Sequence, residues 1–208
     1  MTSADPTFEG VYGTYSINAA DRQEVRFYRI ALLITGLSLA AGVLQWWQTN
    51  SPWAWLWVLP MATALGLALR WIHIYLRPLH RALQLFWLSG CIGWGALLMQ
   101  AGPTEALAAL RDQPLWILAI GPLEAEKFLE ANARQGGKQR PEAIGLTLLL
   151  PAALLGHLVG LINGPLCLAL LEAAALLLVL LALRKFGMEA AADVGDKSVF
   201  AHLDRLNP

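Results

Sequence analysis

Two groups of residues in this chain carry side chains suited to chemistry inside or beside a membrane. The first is His157 with Glu172, each set within a long apolar run. His157 lies six residues before Asn163 and Glu172 lies seven after Pro165. If Asn163-Gly164-Pro165 is a short turn between antiparallel helices, a rise of about 1.5 Å per residue brings the pair to nearly one depth. An ionisable residue within a membrane is expensive and is by default a functional candidate, to be considered with its partner. The pair can relay a proton, or His157 can ligate a tetrapyrrole metal while Glu172 orients its other ring nitrogen. Glu172 can equally stay protonated in an apolar setting and hydrogen-bond a neighbouring helix, serving packing alone.

The second group is the elbow Arg70-Trp71-Ile72-His73-Ile74-Tyr75-Leu76-Arg77-Pro78-Leu79-His80-Arg81. On a continuous helix Arg70, His73 and Arg77 stand at i, i+3 and i+7 and form one stripe. His80 and Arg81 follow a break at Pro78. Such a stripe at a membrane surface can hold a phosphate, a lipid headgroup or a carboxylate. It also fits a plain topological anchor, since arginine at the cytoplasmic end of a span is common. Zinc asks for three or four protein ligands, usually with closely spaced pairs, and His73 with His80 does not supply them. Cys91 and Cys167 fall in or beside apolar runs and read as packing residues, so no metal site is expected. Neither group comes with a nucleophile and base at catalytic spacing, and an enzyme is not expected.

These groups must be positioned by membrane helices. Hydrophobic residues make up 57% of the 208 and charged residues 14%, with a mean hydropathy of +0.50, the balance of an integral membrane protein. The net charge is zero, which gives no argument for nucleic acid. A span needs roughly 20 mostly apolar residues to cross about 30 Å of hydrocarbon. Segments 28–47, 52–71, 82–101, 144–162 and 165–183 meet this well. Segment 106–123 is weaker, broken by Arg111, Asp112 and Pro114. Gly156, Gly160 and Gly164 recur at intervals of four and suggest a face for close helix packing.

Charge chooses the topology. If segment 106–123 crosses, Lys and Arg divide as three before the first span, three at the elbow, four in 127–140 and four in the tail, with only Arg111 opposite. Without that crossing the cations scatter over both sides, which the positive-inside tendency disfavours. The expectation is therefore an all-α polytopic transmembrane bundle of about six spans, both termini cytoplasmic, the fourth span short or irregular. Trp46, Trp47, Trp53, Trp55 and Trp57 cluster around the uncharged link 48–51, as an aromatic belt at the outer interface would. A stacking platform for a cofactor is the other use of such rings.

The ends read as polar appendages: a cytoplasmic segment 1–27, the bundle 28–183, and a cytoplasmic tail 184–208. Residues 1–20 look loop-like, and no cleavable secretory signal is expected. Asp21 with Glu24 looks like a helix start, and Arg22, Arg26 and Arg29 share a face that should meet lipid phosphates. Gly195-Asp196-Lys197-Ser198 lacks the spacing of a phosphate loop. Ser198 is expected to cap a short helix carrying Val199, Phe200, Leu203 and Leu206. A short amphipathic helix is expected within 124–140, around Leu123, Phe128 and Leu129.

Several of these strings resemble a known family. They are Tyr15 with Asp21-Arg22, Glu24-Val25 and Tyr28-Arg29, then Ile72-His73-Ile74-Tyr75-Leu76, Pro78-Leu79-His80-Arg81, Leu83-Gln84-Leu85-Phe86-Trp87, and Gly195-Asp196-Lys197-Ser198-Val199-Phe200. The resemblance is to an uncharacterised family of integral membrane proteins, a domain of unknown function found chiefly in cyanobacteria. It covers nearly the whole chain and implies a multi-pass protein of the plasma or thylakoid membrane, with no assigned activity. Members keep the fourth span apolar for longer and follow it with an aromatic and cysteine-bearing segment, whereas 124–140 is charged here. The expected role is a non-enzymatic auxiliary or assembly subunit for a membrane complex, photosynthetic or otherwise bioenergetic, with tetrapyrrole or lipid as open choices of cofactor. A small transporter or channel using His157 and Glu172 is the alternative.

Overall fold

The computed structural model describes residues 5–72, 77–121, 141–199 and 202. The chain opens with an antiparallel hairpin, β1 (Thr7–Gly10) and β2 (Gly13–Ser16), in place of the expected loop. Phe8 opposes Tyr15, their rings stacking at 5.7 Å. Gly13, at φ +127°, takes the turn conformation that other residues resist. Helix α1 (Ala19–Thr49) follows, capped by Asn18 and not by Asp21. Asn18 Oδ1 accepts from the Asp21 amide, and Asp21 reaches back to the Asn18 amide, a reciprocal capping box that settles two free donors.

A 3₁₀ helix (Pro52–Trp57) runs into α2 (Val58–Trp71), and α3 (Arg77–Ala101) returns. Two short helices come next, α4 (Ala106–Asp112) and α5 (Trp116–Ile120), then α6 (Pro141–Leu158), α7 (Gly164–Phe186) and the single turn α8 (Ala191–Val194). Among the described residues four helical stretches are long and apolar enough to cross a membrane: 19–49, 52–71, 78–101 and 164–186. Ile144–Leu158 is a shorter apolar helix, interrupted by Pro151, whose missing amide weakens the ladder there. The weak fourth segment is divided at Gln113–Leu115. Its two pieces span about 10 and 8 Å, each too short to cross alone. Residues 122–140, with the amphipathic helix expected there, lie outside the described residues.

Side-chain contacts give the helix directions. Phe27 meets Trp71 at one end of α1, and Trp57 Nε1 donates to Gln45 at the other, so α1 and α2 are antiparallel. His80 contacts the Leu69 carbonyl and Trp87 the Ala62 carbonyl, which sets α3 antiparallel to α2. Gly36 lies against Val179 while the Lys185 ammonium sits over the Tyr28 ring, so α7 runs against α1. Glu142 pairs with Arg184 and Gly145 faces Leu177, so α6 runs against α7. One end of the bundle therefore gathers Ala19, Trp71, Arg77, Pro141 and Phe186. The other gathers Thr49, Pro52, Ala101, Leu158 and Gly164.

The core is built from small and branched residues on facing helices. Ala31 and Leu32 of α1, Ala68 of α2, Leu146 and Leu150 of α6, and Ala174, Leu178 and Ala182 of α7 are all buried together. Alanine at such positions brings backbones close, which is how helices pack where lipid is as apolar as leucine. Outward the surface is also apolar: Leu59, Leu85, Ile92, Leu148 and Leu176 are all exposed. So large an apolar exterior suits lipid and not water.

Helix α1 is about 46 Å long by its rise per residue, longer than a bilayer core. Its first turns belong to a headpiece made from both ends of the chain. Ile17, Val25 and Val194 form its centre, with Phe8, Tyr15 and Ala190 around them. Each such burial is worth on the order of 2 kcal/mol. Arg29, expected to meet lipid phosphates, is buried instead. Its guanidinium holds Asp193 at 2.7 Å and donates to the carbonyls of Met188 and Glu189. Arg22 contacts Asp5 and the Ile17 carbonyl, and Arg26 remains exposed.

The Gly-Asp-Lys-Ser string clasps the hairpin. Asp196 accepts from the amides of Val11 and Ser198, and Ser198 Oγ accepts from the Tyr12 amide. Lys197 holds Asp21 at 2.8 Å. Gly10 is required under this clasp, because a Cβ there would lie 2.1 Å from Asp196 Oδ1. The cap of the last turn is thus Asp196 and not Ser198, whose hydroxyl donates to it at 2.6 Å. Those bonds, first the one from Ser198 and then that from Val11, hold the Asp196 carboxyl below its usual range. Phe200, Leu203 and Leu206, the rest of the expected apolar edge, lie outside the described residues.

Candidate functional site

A cavity of about 460 Å³ opens between the helices near the end that gathers Thr49 and Gly164, within the size range of small-molecule sites. Its apolar walls come from Leu39, Val43 and Met61 on one side and Leu154, Leu168 and Leu171 on the other. Tryptophans give it flat surfaces: Trp46, Trp47, Trp55, Trp57 and Trp94 all line it. Four of the five clustered tryptophans are therefore cavity walls, while the fifth, Trp53, is exposed at the rim of the bundle. The same rings that mark an interfacial depth also enclose a space.

The elements put them there for local reasons. Pro52 starts the 3₁₀ helix without needing an amide partner. Gly42 lets that helix lie across α1, since a Cβ would stand 3.1 Å from the Trp57 Cβ. Gly93 does the same for α5, approaching the Ala119 carbonyl so closely that a Cβ would be 2.2 Å from its oxygen. This contact seats Ile117 and Ile120 in the cavity wall. Arg111, paired with Asp112 at 2.8 Å, lines it from α4.

Polar atoms in the lining are few. Trp57 Nε1 is satisfied by Gln45, but Trp55 Nε1 is buried and has no hydrogen-bond partner among the described residues. His157 sits in the last turn of α6, where the chain folds back on itself. Gly160 takes a left-handed conformation at φ +74°, and the amides of Leu161 and Ile162 both reach the Gly156 carbonyl. The returning Ile162 carbonyl meets His157 Nδ1 at 3.1 Å. A carbonyl only accepts, so Nδ1 is the donor in this contact. Cys167 Sγ donates to the Ala153 carbonyl at 3.5 Å.

That fold-back separates His157 from Glu172. Cys167 lies beside Ala153 and Leu177 beside Gly145, a register that sets Glu172 level with residues near Leu149. His157 is level with Gly164, about 12 Å away along the axis by the helix rise. The equal-depth expectation assumed that α6 continued to Ile162, whereas it ends at Leu158. Glu172 does not line the cavity, and its Oε2 is buried without a hydrogen-bond partner among the described residues. The relay and second-shell readings of the pair therefore lose their geometry.

The glycine series is also reassigned. A Cβ on Gly156 would strike Ile162 of its own turn, and Gly160 and Gly164 have nothing within 4 Å. Close packing between helices is carried instead by Gly36 and Gly93. The elbow stripe breaks for a similar reason: α2 stops at Trp71, and Ile72 is extended. Arg70 and Arg77 thus belong to different helices, and Pro78 sits in the first turn of α3, where proline starts a helix well. Arg70 and Arg81 are exposed, His80 is tied to the Leu69 carbonyl, and His73 lies outside the described residues. The unpartnered Trp55 amine was not singled out in the sequence, where nothing distinguishes it from its neighbours in the belt.

No curated protein and no solved structure matches this chain. The profile of one family does, over residues 67–202, from the end of α2 to the headpiece tail and well over half of the chain; its description is uncharacterized integral membrane protein (DUF2301). With its apolar exterior and helices long enough to span, the chain belongs to this family and is a multi-pass integral membrane protein.

Proposed function

We propose that this protein is a non-enzymatic binding subunit of the membrane, which holds a lipid-soluble molecule in its tryptophan-lined cavity and serves a larger membrane complex. The cavity is the observation that carries the reading. Two of its lining side chains, Cys167 and His157, each donate to a backbone carbonyl and not to one another. That arrangement supports binding over catalysis.

The proposed orientation is six passes with both termini cytoplasmic. Two independent arguments support it. Fourteen of the fifteen cations then share one face. In addition, the chain leaves α3 at the end that holds Thr49 and enters α6 at the end that holds Ala19, which favours a crossing between them. The headpiece then lies in the cytoplasm and the cavity opens toward the opposite surface. The cyanobacterial setting implied by the resemblance makes a photosynthetic complex of the thylakoid the client to test first.

Crosslinked native membranes, solubilised in mild detergent, are expected to yield the chain with membrane subunits in fixed proportion. Recovery of the chain alone, with crosslinking of a known complex verified in the same sample, would count against the auxiliary role.

A further inference from the structure

Resting on the cavity as a binding site, we infer that its ligand is a single-chain amphiphile with an anionic head, a carboxylate or a phosphate. The tail lies in the cavity and the head at Arg111. Size argues for one chain. The cavity holds about 460 Å³. A water takes roughly 30 Å³ in the liquid and a methylene about as much, so there is room for about fifteen carbons. One acyl chain fills that space and two do not fit. From Ser38 to Asn50 the cavity follows α1 over twelve residues, about 18 Å by the helix rise, which suits an extended tail.

Charge argues for the head. Among the described residues the lining carries one Lys, Arg, Asp or Glu side chain, that of Arg111. Leu107, Leu110 and Arg111 stand at i, i+3 and i+4, so one face of α4 covers the cavity and Arg111 shares that face. Asp112, the next residue, does not line it. Helix α4 follows α3 at the end that gathers Thr49, where Asn50 also lines the space, so the cation stands at the mouth. Arg111 commits Nε to Asp112 at 2.8 Å, and its two terminal nitrogens have no partner among the described residues. Its side chain is 54% exposed and open to an incoming anion. A guanidinium holds a carboxylate or a phosphate through paired donors. In the six-pass orientation Arg111 is also the one Lys or Arg on its side of the membrane, placed against the positive-inside tendency. A ligand's charge gives that placement a purpose.

The test uses the full chain in nanodiscs of unbrominated diacyl lipid, in alkaline buffer where the acid is ionised and arginine stays charged. Bromine quenches tryptophan on contact, and the walls include Trp46, Trp55 and Trp94. The probes share one tail and differ in head: dibromostearate, dibromostearyl phosphate and dibromostearyl alcohol. Saturable quenching is expected from at least one anion, about fivefold or more tighter than from the alcohol, and the tighter anion assigns the head. Arg111→Gln should weaken the anions about five- to tenfold, the range of one charge-assisted bond, and leave the alcohol unchanged. Arg111→Lys should recover part of the loss. Lipid-facing Leu85→Ala, 65% exposed, should change nothing. If a variant does not fold, the anion-to-alcohol ratio in the unmodified chain decides. Equal affinity for all three heads, or an anion preference that survives Arg111→Gln, overturns the head assignment while leaving the cavity a binding site. Equally tight quenching by a brominated diacyl lipid overturns the single chain. Saturable quenching by none of them overturns the assignment and the cavity reading together.

Discussion

Replacing Asp193 by alanine is expected to lower stability by about 3–5 kcal/mol, the range for removing one partner of a buried ion pair. The Asp193 carboxylate is 1% exposed and joins Arg29, 8% exposed, to Lys185, 13% exposed. Arg29 uses Nε and a terminal nitrogen on one oxygen, and Lys185 takes the other. Removing the acid leaves two cations facing each other at the point where α1 and α7 emerge. It also frees the turn 188–193, whose carbonyls Arg29 holds, and with it the clasp on the hairpin. Chemical unfolding in detergent measures the loss. The double variant Asp193→Ala with Arg29→Met should recover part of it, since the stranded guanidinium is the main penalty. A loss below about 1 kcal/mol would show that the headpiece does not rest on this node.

The second large effect lies in the bundle. Gly36→Leu is expected to cost about 3 kcal/mol, the upper part of the usual overpacking range. At Gly36 the backbones of α1 and α7 approach closely: a Cβ would stand 3.0 Å from Val179 Cγ2 and 3.1 Å from the Val179 backbone nitrogen. A methyl group can be met by small shifts of the valine, so Gly36→Ala should cost less than about 1 kcal/mol. A leucine must push the α7 backbone away, separating Ala31 and Leu32 from Ala174 and Leu178 in the core. Thermal melting of the purified variants reads the difference. Equal melting temperatures for the alanine and leucine variants would place the close approach elsewhere.

These two sites show what could be read from the residues alone. The apolar runs located the membrane helices, because hydrocarbon forces a continuous stretch of apolar side chains wherever a helix crosses. Proline and charge likewise marked 106–123 as irregular, and the division falls at Pro114. Rotation and depth were not legible. Arg29 looks like any arginine at the mouth of a span, and its partner lies 164 residues away. The His157 and Glu172 pairing rested on a turn of three residues, whereas the chain turns from Leu158 to Asn163 and shifts the register. The elbow stripe presumed that α2 ran on to Arg77, whereas α2 stops at Trp71 and Arg77 opens the next helix. The cavity was visible only as tryptophans. Their type suits an interface and a ligand wall equally, and only the lie of the 3₁₀ helix across Gly42 encloses a space.

The central claim is that this space is occupied in the membrane, and native mass spectrometry of the chain released from nanodiscs made with its own lipids tests it most directly. The expected spectrum shows one small lipid-soluble molecule retained per chain, and its loss in Leu168→Trp, which fills the cavity while leaving the headpiece intact. Bare chain from both proteins, or an adduct that survives the filling tryptophan, would contradict it.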